Sequence, residues 1–254
     1  MKILLKIAYL GTAYCGYQVQ PNGVTVQEKL NEAARSIFGF DCDIVGCSRT
    51  DSGVHARGFC ATVTRRGTDE LTTAIPIENI PRAMNAVLPP DISVLCAEWR
   101  NADFHARYDV ISKEYEYLFY NGSARDPFLL DRAWQLKKPL ADQAIDAMRR
   151  AAAAFVGEHD FSALRDGGFD TDEKDATRRV FSTSVEKKGE LICFRVRANG
   201  FLYHMVRIMA GTLYAVACGS ILPEEIGGRL AAGARGGFGV TAPACGLYLD
   251  RVYY

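Results

Sequence analysis

Val180-Phe181-Ser182-Thr183-Ser184-Val185-Glu186 and Leu191-Ile192-Cys193-Phe194-Arg195-Val196-Arg197 are separated by Lys187-Lys188-Gly189-Glu190. Two runs rich in β-branched and apolar residues around a short, polar, glycine-containing gap predict a β-hairpin. A hairpin joins antiparallel neighbours, so the sheet that holds it is antiparallel or mixed. Working outward, Glu114-Tyr115-Glu116-Tyr117-Leu118-Phe119-Tyr120 alternates as a strand does, with Tyr115, Tyr117 and Phe119 on one face. Ala141 to Phe155 reads as an alanine-rich helix, and further helices are expected near Tyr203–Cys218 and Pro223–Ala234. Gly246–Tyr253 closes the chain as a strand.

The first half mixes the same ingredients. Strands are expected at Lys2–Tyr9, Asp43–Cys47, Phe59–Arg65 and Ile92–Trp99. A helix begins after Thr25, whose hydroxyl can cap while Glu28 reaches back. Val26, Leu30, Ala33 and Ile37 give that helix one apolar face, and Gly39 ends it. A second helix is predicted from Glu78 to Leu88, stopping before Pro89-Pro90. The fold class is therefore α+β, with mixed or antiparallel sheets flanked by helices. Two similar α/β halves are expected, residues 1–103 and 104–254, packed as one body around a catalytic cleft. Composition marks no flexible linker between them.

The 254 residues are 48% hydrophobic and 24% charged, an ordinary globular balance. No apolar run approaches the ~20 residues needed to cross a bilayer. The opening Met1-Lys2-Ile3-Leu4-Leu5-Lys6 carries charge inside its apolar run and has no small-residue cleavage site, so it reads as a strand and not a signal peptide. A cytoplasmic location is expected. The eight cysteines are scattered with no C-x-x-C pair, and the four histidines lie far apart, so no metal site is signalled. Thirty basic residues balance thirty acidic ones, which weighs mildly against a nucleic-acid partner. Arginine outnumbers lysine roughly two to one, however, and guanidinium suits phosphate and base recognition. The knots Arg65-Arg66, Arg149-Arg150, Arg178-Arg179 and Lys187-Lys188 could build one positive face.

Chemistry concentrates in Arg49-Thr50-Asp51-Ser52-Gly53-Val54-His55-Ala56, between two apolar strands. A carboxylate, a guanidinium, two hydroxyls and an imidazole in one turn describe either a reactive loop or a tight structural turn. Taken whole, the string resembles the active-site signature of the TruA family of tRNA pseudouridine synthases. The resemblance spans the chain: Tyr9-x-Gly11-Thr12 with Gly16-Tyr17-Gln18-x-Gln20-Pro21, Thr25-Val26-Gln27-Glu28, Asn85-Ala86-x-Leu88-Pro89 and Asp103-Phe104-His105-Ala106-Arg107. It continues through Tyr115-x-Tyr117, Gly157-Glu158-His159-Asp160-Phe161, the run from Asn199 to Arg207, Thr241-Ala242-Pro243 and Gly246-Leu247-Tyr248-Leu249. Two positions depart from the usual pattern. Ser48 stands where the family has glycine, and Tyr17 where it has tryptophan.

The resemblance implies isomerisation of uridine to pseudouridine without metal or cofactor. It implies Asp51 as nucleophile, Arg207 as the cation paired with it, and Tyr115 as the ring that stacks on the target base and assists a proton transfer. Leu247 would wall the base's other face, and Arg49 would take part in flipping the nucleotide out of its stem. His55, Arg107 and Arg165 are further candidates for contact with substrate. The implied substrate is the anticodon stem-loop of tRNA, at positions 38, 39 and 40, and the implied assembly is a homodimer. Two other readings stay open: the same chemistry on another RNA, or an RNA-binding or chaperone protein without catalysis. Intact Asp51, Tyr115 and Arg207 weigh against the latter. A carboxylate hydrolase is disfavoured because no second acid stands at a readable spacing from Asp51.

Overall fold

The computed structural model describes residues 1–167 and 175–254. It is an α+β fold in which mixed sheets are flanked by helices, and it divides into two compact units, residues 1–111 with 248–254, and residues 112–247.

The first unit opens with β1 (Lys2–Tyr9), followed by α1 (Val26–Phe38), β2 (Cys42–Gly46), β3 (His55–Arg65), α2 (Ile80–Asn85) and β4 (Ile92–Arg100). β1 is central, antiparallel to β3 through Leu5↔Ala61 and to β4 through Leu5↔Ala97. β2 pairs antiparallel with β3, whereas the C-terminal strand β10 (Leu247–Tyr253) runs parallel to it, placing Tyr248 beside His55. The unit's sheet is therefore mixed. α1 forms as its spacing requires: Thr25 Oγ1 accepts from Glu28 N–H, the Glu28 carboxylate accepts from Thr25 N–H, and Gly39 ends the helix at φ 78°. Such a cap is worth about 1 kcal/mol. Val26, Leu30, Ala33 and Ala34 are buried in the core with Ile3, Ile7, Phe59 and Val63. Burying one leucine-sized side chain is worth about 1.5–3 kcal/mol, so this stripe outweighs the cap in holding α1 down.

Two predicted elements differ. α2 is shorter than the expected Glu78–Leu88 helix, with a 3-10 turn over Ile77–Asn79 before it. It ends at Asn85 because that side chain pairs with a strand: Nδ2 donates to Val94 O at 2.9 Å and Oδ1 accepts from Val94 N–H at 2.7 Å. β3 begins at His55, not Phe59, because the parallel pairing with β10 extends the strand back into the motif.

The second unit comprises β5 (Ser112–Tyr120), β6 (Trp134–Gln135), α3 (Asp142–Ala153), β7 (Gly157–Asp160), β8 (Thr177–Lys188), β9 (Leu191–Ala198), α4 (Met205–Ala217) and α5 (Ile226–Ala232). The hairpin is there, closed by Lys188↔Leu191, so its turn is the two residues Gly189-Glu190. β9 pairs antiparallel with β5 as well, and β6 runs parallel to β5. β5 is buried on both faces, although its alternation suggests one wet face. Glu116 is 3% exposed and forms an ion pair with Arg195, its cross-strand partner on β9. Such a partner offsets part of the cost of taking a carboxylate out of water. β6 and β7 were not expected. β7 reads Gly-Glu-His-Asp, a polar edge strand without apolar alternation. α4 is buried on nearly every side, from Met205 to Val216, and packs against α3.

The compact units do not follow the expected division at 103/104. Residues 104–111 are held to the first unit, where Lys2 Nζ donates to Phe104 O, Tyr254 Oη to Ala106 O and Ile111 N–H to Tyr253 O. The chain's end returns to the first unit as β10. Among the described residues, no helix is long and apolar enough to cross a membrane.

Candidate functional site

In the first unit the candidate residues lie on the turn between β2 and β3. Asp51-Ser52-Gly53-Val54 is closed by Val54 N–H to Asp51 O at 3.2 Å. The turn is bound to the end of β1 and to the glycine- and tyrosine-rich segment that follows it. Tyr9 Oη and Thr50 Oγ1 are 2.8 Å apart, Ser52 Oγ donates to Tyr14 O at 3.1 Å, and Tyr17 N–H donates to Thr50 O at 3.1 Å. Gly16 has φ +82°, and a Cβ there would stand 2.6 Å from Thr50 O. Both the left-handed conformation and the close approach need glycine. Asp51 is thus half-buried on a short loop whose flanks are fixed by hydrogen bonds on either side.

His55 is fully buried, and its Nδ1 accepts the Gly11 N–H at 2.9 Å. That bond requires an unprotonated Nδ1, so the neutral ring carries its proton on Nε2. The ring packs 4.7 Å from Tyr248, over which Arg57 lies at 4.2 Å while pairing with Asp250 at 3.2 Å. His55 was expected on the substrate side. In the structure it is buried, and its bond to Gly11 ties the start of β3 to the segment after β1. Tyr17, at the family's tryptophan position, is a core residue whose ring packs, tilted by 31°, 4.2 Å from Phe59. Burial pushes its phenol well above the usual range, and among the described residues its hydroxyl has no hydrogen-bond partner.

In the second unit Tyr115 lies on β5, 6% exposed, with its ring edge-on to Phe201 at 5.0 Å. Two residues on, Tyr117 Oη donates to Pro243 O at 2.8 Å, which anchors the segment leading to Leu247. Arg207 sits in the first turns of α4. Its Nε donates to Ala242 O at 2.8 Å, and its own carbonyl accepts the Ala242 N–H at 3.1 Å. Residues 239–242 thus form a strap along α4. The strap lies so close that a Cβ on Gly211 would be 1.7 Å from Val240 O. Thr212 Oγ1 receives the Gly239 N–H at 3.1 Å. A guanidinium whose stem is tied to this strap is a fixed cation, able to hold a carboxylate or phosphate oxygen in one place.

Asp51 and Arg49 therefore share one loop of the first unit, with Arg49 exposed, and His55 opens the strand that follows it. Arg107 is also in this unit, exposed on the turn where its N–H donates to His105 Nδ1 at 3.1 Å. Tyr115, Arg165, Arg207 and Leu247 belong to the second unit. Leu247 is 6% exposed at the start of β10, and Arg165 is half-buried after the 3-10 turn Ser162–Leu164. Reading the sequence missed Asp166, whose carboxylate accepts from His204, Arg235 and Thr241. An aspartate before glycine in a loop looks like ordinary turn chemistry, and its three donors lie far along the chain. Among the described residues, no group of three or more His, Cys, Asp or Glu could hold a metal ion.

Comparison with known proteins gives a consistent result. A family model described as tRNA pseudouridine synthase matches residues 6–109 and 151–254. A protein of Geotalea daltonii named tRNA pseudouridine synthase A is 40% identical over 252 residues, covering 99% of each chain. Proteins of the same name from Geobacter sp. strain M21 and Moorella thermoacetica are each 42% identical. They align over 99% of this chain and 98% of the relative in the first case, and 98% of both in the second.

Proposed function

This chain belongs to the tRNA pseudouridine synthase family, and from that premise we propose that it isomerises uridines at positions 38, 39 and 40 of tRNA anticodon stem-loops with Asp51 as nucleophile. The reaction breaks the N1–C1′ glycosidic bond, turns the uracil and joins C5 to C1′. C5 loses a proton and N1 gains one, so atoms and electrons balance within a single nucleotide and the chemistry asks for no cofactor. The full-length likeness to tRNA pseudouridine synthase A carries the reading. The anchored Asp51 turn supports the assignment of nucleophile, because a reacting carboxylate works only when held in place.

Arg207 is the cation that keeps Asp51 ionised, since an opposite charge nearby favours the carboxylate. Tyr115 stacks on the extruded base and serves the proton transfer that restores aromaticity. Leu247 closes the other face, and Arg49 stabilises the flipped nucleotide, with Arg107 and Arg165 on backbone phosphates. Extruding a stem base costs a few kcal/mol, which such contacts must offset. A double-stranded stem read through shape and phosphates suits arginines in place of base-specific side chains. The protein acts in the cytoplasm as a homodimer, which sedimentation at micromolar concentration will show as a species of twice the chain mass.

The test is incubation with unmodified tRNA transcripts followed by nucleotide-resolution mapping of pseudouridine. Product at positions 38–40 supports the whole reading, whereas product elsewhere or only in another RNA removes the anticodon assignment. Asp51→Ala is expected to abolish product while tRNA binding persists. Turnover in that variant would remove Asp51 from the nucleophile role.

A further inference from the structure

Asp166 lies between Arg165 and Gly167, outside every motif that carries the family resemblance. Its two oxygens are filled by three side chains. Oδ1 accepts from Arg235 Nε at 3.0 Å, while Oδ2 accepts from His204 Nδ1 at 2.9 Å and Thr241 Oγ1 at 2.6 Å. Burial alone would push the Asp166 carboxyl up, but the hydrogen bonds from Thr241, His204 and Arg235 outweigh it and hold it down at about 2. It is therefore an anion under all ordinary conditions, and His204 must keep its proton on Nδ1 to face it.

The three donors converge on Arg207. His204 is the residue from which α4 starts, held at φ 61°. A left-handed residue other than glycine persists only where its surroundings enforce it. The Asp166 bond is one such constraint, and Tyr203 stacked on the His204 ring at 3.7 Å is another. From this cap α4 reaches Arg207 within its first turn. Thr241, the second donor, directly precedes Ala242, the strap residue that exchanges hydrogen bonds with Arg207. Arg235, the third, also donates to Gly239 O at 3.0 Å and to Thr241 Oγ1 at 3.2 Å, bracing the strap at two points.

We propose that Asp166 is a positioning residue for Arg207: one carboxylate joins the cap of α4 to the strap that grips the arginine stem, and so fixes where the guanidinium is presented. The inference rests on the role given to Arg207 above. It distinguishes Asp166 from a mere fold tether, because the penalty of losing it falls on the chemical step.

The decisive variant is Asp166→Asn. An amide keeps the shape but removes the charge and turns one oxygen into a donor, so it either gives up Arg235 or forces His204 and Thr241 to reverse from donors to acceptors. Misplacement of a reacting group by about 1 Å can cost about a hundredfold in rate. The saturating single-turnover rate of pseudouridine formation is expected to fall about tenfold or more, with the Kd for tRNA within about twofold of wild type. A rate equal to wild type overturns the proposal, and so does a loss confined to Kd.

If Asp166→Asn does not fold, Thr241→Val and Thr241→Ser decide: the valine variant should lose rate and the serine variant keep it, and equal rates in the two refute the idea. Wild-type protein that forms no pseudouridine would sink the proposed function instead. The positioning claim is then read from hydrogen exchange. Faster exchange at 203–210 in Asp166→Asn sustains it, and unchanged protection there overturns it.

Discussion

Gly211→Ala sets two physical effects against each other with opposite signs, and the structure says which should win. Alanine stabilises a helix interior over glycine by about 1 kcal/mol, so on α4 alone the substitution helps. The new Cβ, however, would stand 1.7 Å from Val240 O and 2.9 Å from its carbonyl carbon. Ordinary contact needs about 3.5 Å, so the strap must retreat by roughly 1.5 Å or more. That stretches Arg207 Nε–Ala242 O, Ala242 N–Arg207 O and Gly239 N–Thr212 Oγ1 beyond hydrogen-bonding distance. Each such bond contributes about 1 kcal/mol, and overpacking a filled core adds about 1–3 kcal/mol. Even with the strap partly relaxing and the helix term credited, Gly211→Ala should lose about 2–4 kcal/mol in equilibrium urea unfolding. Its saturating single-turnover rate should fall too, because the acceptor for Arg207 Nε moves. A variant as stable as wild type, or more so, would show that the strap is compliant and does not fix the arginine.

Two further outcomes follow from buried groups. Tyr17→Phe removes a hydroxyl that is buried without a hydrogen-bond partner among the described residues, so it should be neutral or stabilising by up to about 1 kcal/mol; a clear loss in urea unfolding would mean that the hydroxyl is bonded. Asp166 has its folded pKa depressed to about 2 from an unfolded value near 3.9. Its charge therefore contributes stability that is fully present above about pH 4 and is lost as pH falls through about 2. The stability gap between wild type and Asp166→Asn should be flat from neutral pH to about 4 and then narrow. A gap that stays constant down to pH 2.5 would contradict this.

How legible the molecule was in its sequence depended on whether the deciding partner was near or far along the chain. The hairpin and the Thr25 cap are local, and both formed, the hairpin with a two-residue turn where a four-residue gap was read. α2 stopped short because Asn85 met Val94, and β3 began early because the chain's last strand came to lie beside His55. Neither partner is implied by the residues around it. β7 was hidden because an edge strand needs no apolar alternation, and the burial of Glu116 is not legible locally because its partner Arg195 is on another strand. At the candidate site, the motif marks a loop by its residue types, but not which of its side chains are tied up in hydrogen bonds to the segment after β1.

That last distinction bears on what such a motif encodes. Of the eight residues Arg49 to Ala56, Thr50, Ser52 and His55 carry the functional groups that most suggest chemistry after Asp51. Each of the three hydrogen-bonds to the end of β1 or the segment after it, at Tyr9, Tyr14 and Gly11 respectively. Hydroxyls and an imidazole are used as struts, and Gly16 supplies the close approach that lets them reach. The same economy recurs in the second unit, where Thr212, Thr241 and Asp166 hold the strap that grips Arg207, and Tyr117 anchors Pro243 just beyond it. Reading every polar residue of a signature as a substrate contact therefore overstates the chemistry. Most of them hold one carboxylate and one guanidinium still, which is why the variants most damaging to turnover should include residues such as Asp166 and Gly211 that no motif names.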